Sequence, residues 1–274
     1  MRGMFDLHVH SAPCVLPRIA DDRQTVAWFA QAGFAGCVLK GHAEPTVGRA
    51  TAAADGTGLV VRGGVVLNHA AGGLNPDAVD AALALGGRVV WMPTLDAAGH
   101  ADAGLPRPAG ASRAAGIAVP PRDPASEGAV RRIMASVAAA DAVLATGHLS
   151  APEVGWLVRA AREEGVRRVL VTHASFTVPD LSLAEVRELA ELGAHVEITA
   201  YQLLHQPGCE AAHLAAVARA AGAGRLVLSS DAGQPDSPPA PEALLRLVEA
   251  LAAEGLDEQA LAAAASDLPQ ALVG

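Results

Sequence analysis

Aromatic side chains make up only 3% of this 274-residue chain, and lysine occurs once against nineteen arginines. A core so poor in rings must be filled by Ala, Val and Leu, which the 51% hydrophobic content supplies. Positive charge is also scarce: a formal net charge of −9 denies the chain the basic footprint that nucleic acid requires. No apolar run reaches the ~18–20 residues of a membrane span, and the first residues lack the apolar core of a signal peptide. Neither a membrane nor secretion is therefore expected. The three cysteines, Cys14, Cys37 and Cys209, follow no disulfide spacing, which fits a reducing, cytoplasmic setting.

What is present is organised by alternation. Short apolar runs with β character lie near residues 4–10, 34–40, 59–67, 88–93, 141–147, 167–173, 194–199 and 225–230. Between them, Ala- and Leu-rich stretches predict helices near 22–32, 44–54, 76–85, 124–140, 151–164, 182–192, 210–221 and 241–253. Ser150 with Glu153 and Ser182 with Glu185 have capping-box spacing, and Asn75-Pro76 and Asp123-Pro124 set a cap before a first-turn proline. Eight strands alternating with eight helices is the count of an α/β (β/α)8 TIM barrel, expected here as a single domain over 1–274. An open doubly wound sheet is disfavoured, because no Gly-x-Gly-x-x-Gly turn follows the first strand. An extra C-terminal helix near 257–265 is expected to close one end of the barrel. The Gly/Pro-rich stretch 95–123 would follow strand four as an irregular loop, placed to act as a lid.

Residues able to bind metal gather at the ends of these strands. His8 and His10 share one face of the first strand by its two-residue period. His148 ends the fifth strand, His173 the sixth and Asp231 the eighth. The single lysine, Lys40, ends the second, where an amine offers what guanidinium cannot: it can deprotonate, form a carbamate or make a Schiff base. In a barrel all six fall on the C-terminal rim, where active sites are built. Glu197 shares a strand face with His195 and Thr199 and reads equally as a group inside the barrel or a buried structural partner. Arg18, His42, Asn68, His69, Tyr201, Gln202 and His205 lie on loops of the same rim and are candidates for substrate contact. Arg18 hints at an anionic group, although a surface ion pair is the blander reading. Asp96 and His100 fall in the lid stretch, and His213 falls on a helix surface.

With these residues in order, the chain resembles the amidohydrolase superfamily of metal-dependent hydrolases. The resemblance rests on His8-Val9-His10 after strand one, His148 and His173 after strands five and six, and Asp231 after strand eight. The tail Ser266-Asp267-Leu268-Pro269-Gln270-Ala271-Leu272 is similar to the Asn-Pro-Ala-x-x-Leu helix start of such chains. It implies a divalent metal, Zn²⁺ foremost, with one ion favoured over two, ligated by His8, His10, His148, His173 and Asp231. One departure matters: binuclear members bridge two metals with a strand-four Lys or Glu, whereas strand four here ends Trp91-Met92-Pro93-Thr94. Lys40 is then either a displaced bridging carbamate, and so a metal ligand, or a substrate contact. The implied chemistry is hydrolysis of a C–N or C–O bond (amide, imide, lactone or ester) in a small molecule. Asp231 would be the base, with His173 or Lys40 polarising the substrate. Metal-dependent decarboxylation of a small conjugated acid and a non-catalytic metal-binding barrel are the alternatives. Self-association is left open.

Overall fold

The computed structural model describes residues 3–108, 114 and 116–274. The strands are β1 (Phe5–Val9), β2 (Gly36–Leu39), β3 (Val60–Arg62), β4 (Gly64–Val66), β5 (Val89–Trp91), β6 (Val143–Ala145), β7 (Arg168–Val171), β8 (His195–Thr199) and β9 (Leu226–Ser229). Every ladder is parallel, running β1-β2-β3 and β4-β5-β6-β7-β8-β9. The run expected as one strand over 59–67 is thus two, broken at Gly63. A side chain there would lie 2.6 Å from the Thr46 carbonyl carbon, so only glycine admits the approach. Thr46 fills the break: its N–H donates to Gly64 O at 2.9 Å, and its hydroxyl donates to Leu39 O at 2.6 Å. Beyond the ladders, the Asp231 N–H donates to His8 O (2.8 Å) and the His10 N–H to Ala232 O (2.9 Å). These bonds join first strand to last and complete an eight-stranded ring, with β3 and β4 together making its third member.

The helices are α1 (Asp22–Gln31), α2 (Val47–Ala54), α3 (Pro76–Ala84), α4 (Ala98–Asp102), α5 (Glu127–Ala139), α6 (Ala151–Glu163), α7 (Leu183–Glu191), α8 (Ala200–His205), α9 (Ala211–Ala221), α10 (Ala240–Ala253), α11 (Glu258–Ala265) and α12 (Asp267–Val273). Among the described residues, no helix is long and apolar enough to cross a membrane. Both capping boxes form, and Asn75 caps α3, while Asp123 starts a 3₁₀ turn that precedes α5. One apolar layer fills the space between strands and helices; a second, including Phe5, Leu7, Val38, Trp91, Leu170 and Val227, fills the barrel interior.

Two expectations are corrected here. The barrel is closed at one end by α12 rather than by the helix near 257–265. Leu272 and Val273 join the interior layer, and Arg168 Nη1 donates to Leu272 O at 2.7 Å. The stretch 95–123 is not irregular throughout. It holds α4, and it folds back so that Ile117 donates to Asp96 O (2.7 Å) and Ala98 donates to Ile117 O (2.8 Å). Residues 109–113 and 115 of that stretch lie outside the described residues.

Candidate metal centre and its cavity

The first strand does not keep the alternation read from its sequence. Phe5 and Leu7 face the barrel interior and Val9 faces the helices, with a register shift between Asp6 and Val9. A bulge of this kind re-aims side chains. Here it turns His8 inward, stacked on the His173 ring at 6.2 Å and tilted against Trp91 at 6.4 Å. Its partner just after the last strand, Asp231, has φ 51°, and His173 has φ 29°. The left-handed region is costly for residues other than glycine and concentrates at functional sites.

His8, His10 and Asp231 converge. Oδ1 of Asp231 stands 3.0 Å from His8 Nε2 and 3.1 Å from His10 Nε2. The hydrogen bonds behind them decide which ring nitrogens carry hydrogen. His10 Nδ1 lies 3.1 Å from the Lys40 carbonyl, which can only accept, so His10 is protonated there. His8 Nδ1 lies 3.2 Å from Glu197 Oε2. Burial pushes that carboxylate up, but the charge and hydrogen bond of His8 outweigh it and hold it below its ordinary value, so it accepts. Both histidines, when neutral, therefore turn an Nε2 lone pair toward a carboxylate oxygen about 3 Å away. A bound cation resolves that arrangement. Ligands at ~2.0–2.1 Å in a tetrahedron stand ~3.3 Å apart, so this N, N, O set fits a divalent ion. With a proton as the cation, Asp231 and Glu197 overcome the burial of His8 and raise its pKa to about 9.

Lys40 belongs to the same cluster. It is buried, and its Nζ is 2.9 Å from His8 Nε2 and 5.5 Å from the centroid of the Trp91 ring. Burial outweighs the pull of Asp231 and Glu197 and lowers its pKa to about 8, within reach of the neutral amine that Arg could not supply. His148 and His173 are not part of the converging group. Burial pushes His173 down to about 4 and His148 well below its usual value, leaving both neutral, the form that ligates metal. The buried His173 Nδ1 has no hydrogen-bond partner.

His148 has a partner from the 95–123 stretch. Its Nδ1 is 2.8 Å from Nδ1 of His100, whose Nε2 is 3.1 Å from the Pro106 carbonyl. The carbonyl requires a hydrogen on His100 Nε2, and burial keeps His100 below its ordinary pKa and so neutral. The one hydrogen between the two Nδ1 atoms then sits on His148, which leaves His148 Nε2 as a lone pair. His42 stacks on His10 at 4.7 Å, with its Nδ1 3.2 Å from Thr94 Oγ1.

These residues open onto a cavity of about 330 Å³, walled by His10, Arg18, Lys40, His42, His100, His148, His173, Tyr201 and Asp231 together with apolar side chains. Leu105 and Pro106 of the 95–123 stretch contribute to that wall. Asn68, His69 and His205 do not line it. Asn68 ties loops together, donating to His42 O and accepting from the N–H groups of Thr94 and Asp96. His69 sits in a 3₁₀ turn where its N–H donates to Asp96. His205 stands behind Tyr201, with its Nε2 2.7 Å from Ser237 Oγ. Gln202 is buried as the N3 residue of α8, and His213 lies in α9. Phe176 and Gln234 line the cavity and had no readable signal in the sequence.

Residues 3–197 match the model of a family of unknown function, DUF6282. The chain belongs to that family. It matches no curated protein. Among solved structures, this DUF6282 member is similar to an amidohydrolase from Pseudomonas aeruginosa, over 99% of this chain and 95% of that one, at 14% identity and TM-score 0.65. A mutant PTE-like lactonase from Deinococcus radiodurans aligns over 99% and 96%, at 15% identity and TM-score 0.63. A 2,6-dihydroxybenzoate decarboxylase bound to 2,6-dihydroxybenzoate aligns over 100% and 99%, at 10% identity and TM-score 0.60. At such identities the likeness is one of fold. The DUF6282 chain has the barrel of the amidohydrolases, as its strand-end histidines and aspartate implied.

Proposed function

We propose that this protein is a metal-dependent hydrolase that cleaves a C–N or C–O bond (amide, imide, lactone or ester) in a small molecule. The observation that carries the reading is the convergence of His8 Nε2, His10 Nε2 and Asp231 Oδ1 beside a cavity. His8, His10 and Asp231 hold the ion, with Lys40 beside it, and Zn²⁺ suits so nitrogen-rich a set. A bound divalent ion supplies Lewis acidity, which lowers the pKa of water from 15.7 toward ~7.

The chain's own groups do the rest. Glu197 and the Lys40 carbonyl orient the two histidines through their Nδ1 hydrogens. Asp231 accepts the proton of the attacking water on Oδ2 and returns it to the leaving nitrogen or oxygen. His173 or the Lys40 amine, both lining the cavity, steadies the substrate oxygen on which charge develops. Elemental analysis of purified protein, with turnover assays on amides, imides, lactones and esters, tests the reading. Expected are at least ~0.5 equivalent of divalent metal and hydrolysis that stops on chelation and returns with Zn²⁺. Protein that stays metal-free after supplementation, or hydrolysis indifferent to chelators, refutes it.

A further inference from the structure

Among the described residues, Arg18 is the arginine with two buried guanidinium nitrogens that lack a partner. Arg49, Arg107, Arg122, Arg131, Arg159 and Arg168 each meet a carboxylate. Arg18 makes no hydrogen bond or ion pair among the described residues, although its Nε and Nη2 are both buried. A buried donor without a partner is costly, and a buried charge without one more so. A guanidinium that lines a cavity with no carboxylate of its own is a ready partner for an anionic ligand.

The loop around Arg18 is pinned. The N–H of Ile19 donates to Gly233 O at 2.9 Å, and Ala12 donates to Ala20 O at 2.8 Å. Gly233 in turn packs so closely on the first strand that a side chain there would lie 2.0 Å from His10 O. Arg18 is thereby held in fixed relation to the metal-binding strand. It lines the same cavity as Lys40, and its charge is felt at His10, Lys40 and His42, disfavouring protons on all three. Among the described residues, Asp231 is the one carboxylate of the lining, and its Oδ1 is already engaged by both histidines. The remaining wall is largely apolar, including Leu16, Leu95, Leu105 and Phe176.

We propose that the cavity takes a small organic acid, with its carboxylate paired to the guanidinium of Arg18 and its apolar body against Leu16, Leu95, Leu105 and Phe176. This rests on the hydrolase reading only in treating the cavity as the substrate's. The test is calorimetric titration of the full-length protein as purified, with its metal content measured, using benzoate and its neutral isostere benzamide. Benzoate is expected to bind saturably and at least tenfold more tightly than benzamide. Arg18→Gln, with unchanged metal content and melting temperature, is expected to lose at least tenfold in benzoate affinity and none for benzamide. Arg18→Lys should fall between, because it keeps the charge but not the planar fork of donors. Equal benzoate affinity in Arg18→Gln overturns the proposal, as does parity of benzoate with benzamide. Absence of saturable benzoate binding up to ~10 mM, a range that covers weak ligand affinities, also overturns it. Any benzoate held by the metal persists in Arg18→Gln, so the difference between the proteins reports the arginine alone. Failure to find a hydrolysed substrate would leave that difference untouched.

Discussion

Glu197→Gln is the sharpest test of how the metal centre is built, because it changes one buried atom that touches no ion. Glu197 is fully buried; its Oε2 accepts from His8 Nδ1 (3.2 Å) and from the His173 N–H (3.2 Å), and Oε1 has no partner. Glutamine can enter this pocket in two ways. With its oxygen at the Oε2 position it keeps both hydrogen bonds, but it buries an unpartnered amide and makes His8 a weaker base. With its nitrogen there, it opposes the His173 N–H and forces the His8 hydrogen onto Nε2, removing the lone pair that faces Asp231. Either outcome weakens the ion, and loss of such a supporting carboxylate costs about 10–100-fold in metal affinity, or about 1.4–2.8 kcal/mol. Competition against a chelator of known affinity, at fixed pH, measures it. Thermal unfolding of both metal-free proteins separates lost affinity from lost folding. A Glu197→Gln protein with wild-type metal affinity would refute the assignment of Glu197 as the group that sets the His8 tautomer.

Other expectations follow from the same geometry. Asp231→Asn retains an oxygen for the ion but no base, so a folded, still metallated protein should lose at least ~100-fold in kcat; full turnover in that variant would place the base elsewhere. Lys40→Arg keeps charge but cannot form a carbamate, and it must fit a bulkier head into a buried site 2.9 Å from His8 Nε2. Metal analysis and kinetics should show loss of metal or of kcat/KM, and no change in either would return Lys40 to a passive role. Leu272→Ala hollows the plug at the closed end of the barrel, where Leu272 is 4% exposed, and should cost about 2–5 kcal/mol in urea unfolding without altering bound metal. His195 has its pKa lowered to about 4, by burial first and then by Arg225 and Arg162. Because that folded value lies below the unfolded one, its contribution is complete above pH ~6.5 and is lost as pH falls toward ~4, on the order of 2–3 kcal/mol. His195→Gln should flatten the corresponding fall in unfolding free energy between pH 7 and pH 4.5; an unchanged slope would contradict it.

The barrel and the outline of its site are legible in the sequence because both depend on local pattern. Apolar runs of strand length, caps and helical stretches set the element order, and His8, His10, Lys40, His148, His173 and Asp231 each end such a run. Parallel strands then carry their ends to one rim without any long-range information. Composition alone also marked Lys40 as unusual, since it is the single lysine beside nineteen arginines.

Tertiary structure decided what depends on contacts between distant segments. The bulge between Asp6 and Val9 turns His8 inward against the simple alternation, and it arises where β1 meets both β2 and the end of β9. Glu197 reaches His8 across 189 positions, and His100 reaches His148 across 48. No period or motif announces those pairs, although they fix which nitrogen of each ring keeps its lone pair. The plug at the barrel floor passed to α12 because only packing shows which terminal helix fits the opening. Arg18 is the clearest case. Its sequence position favoured a surface ion pair, and only the folded chain shows two of its guanidinium nitrogens buried without a carboxylate. Chain pattern determines where a side chain stands along its strand; which neighbour satisfies its charge and hydrogen bonds is settled only when the strands close on one another.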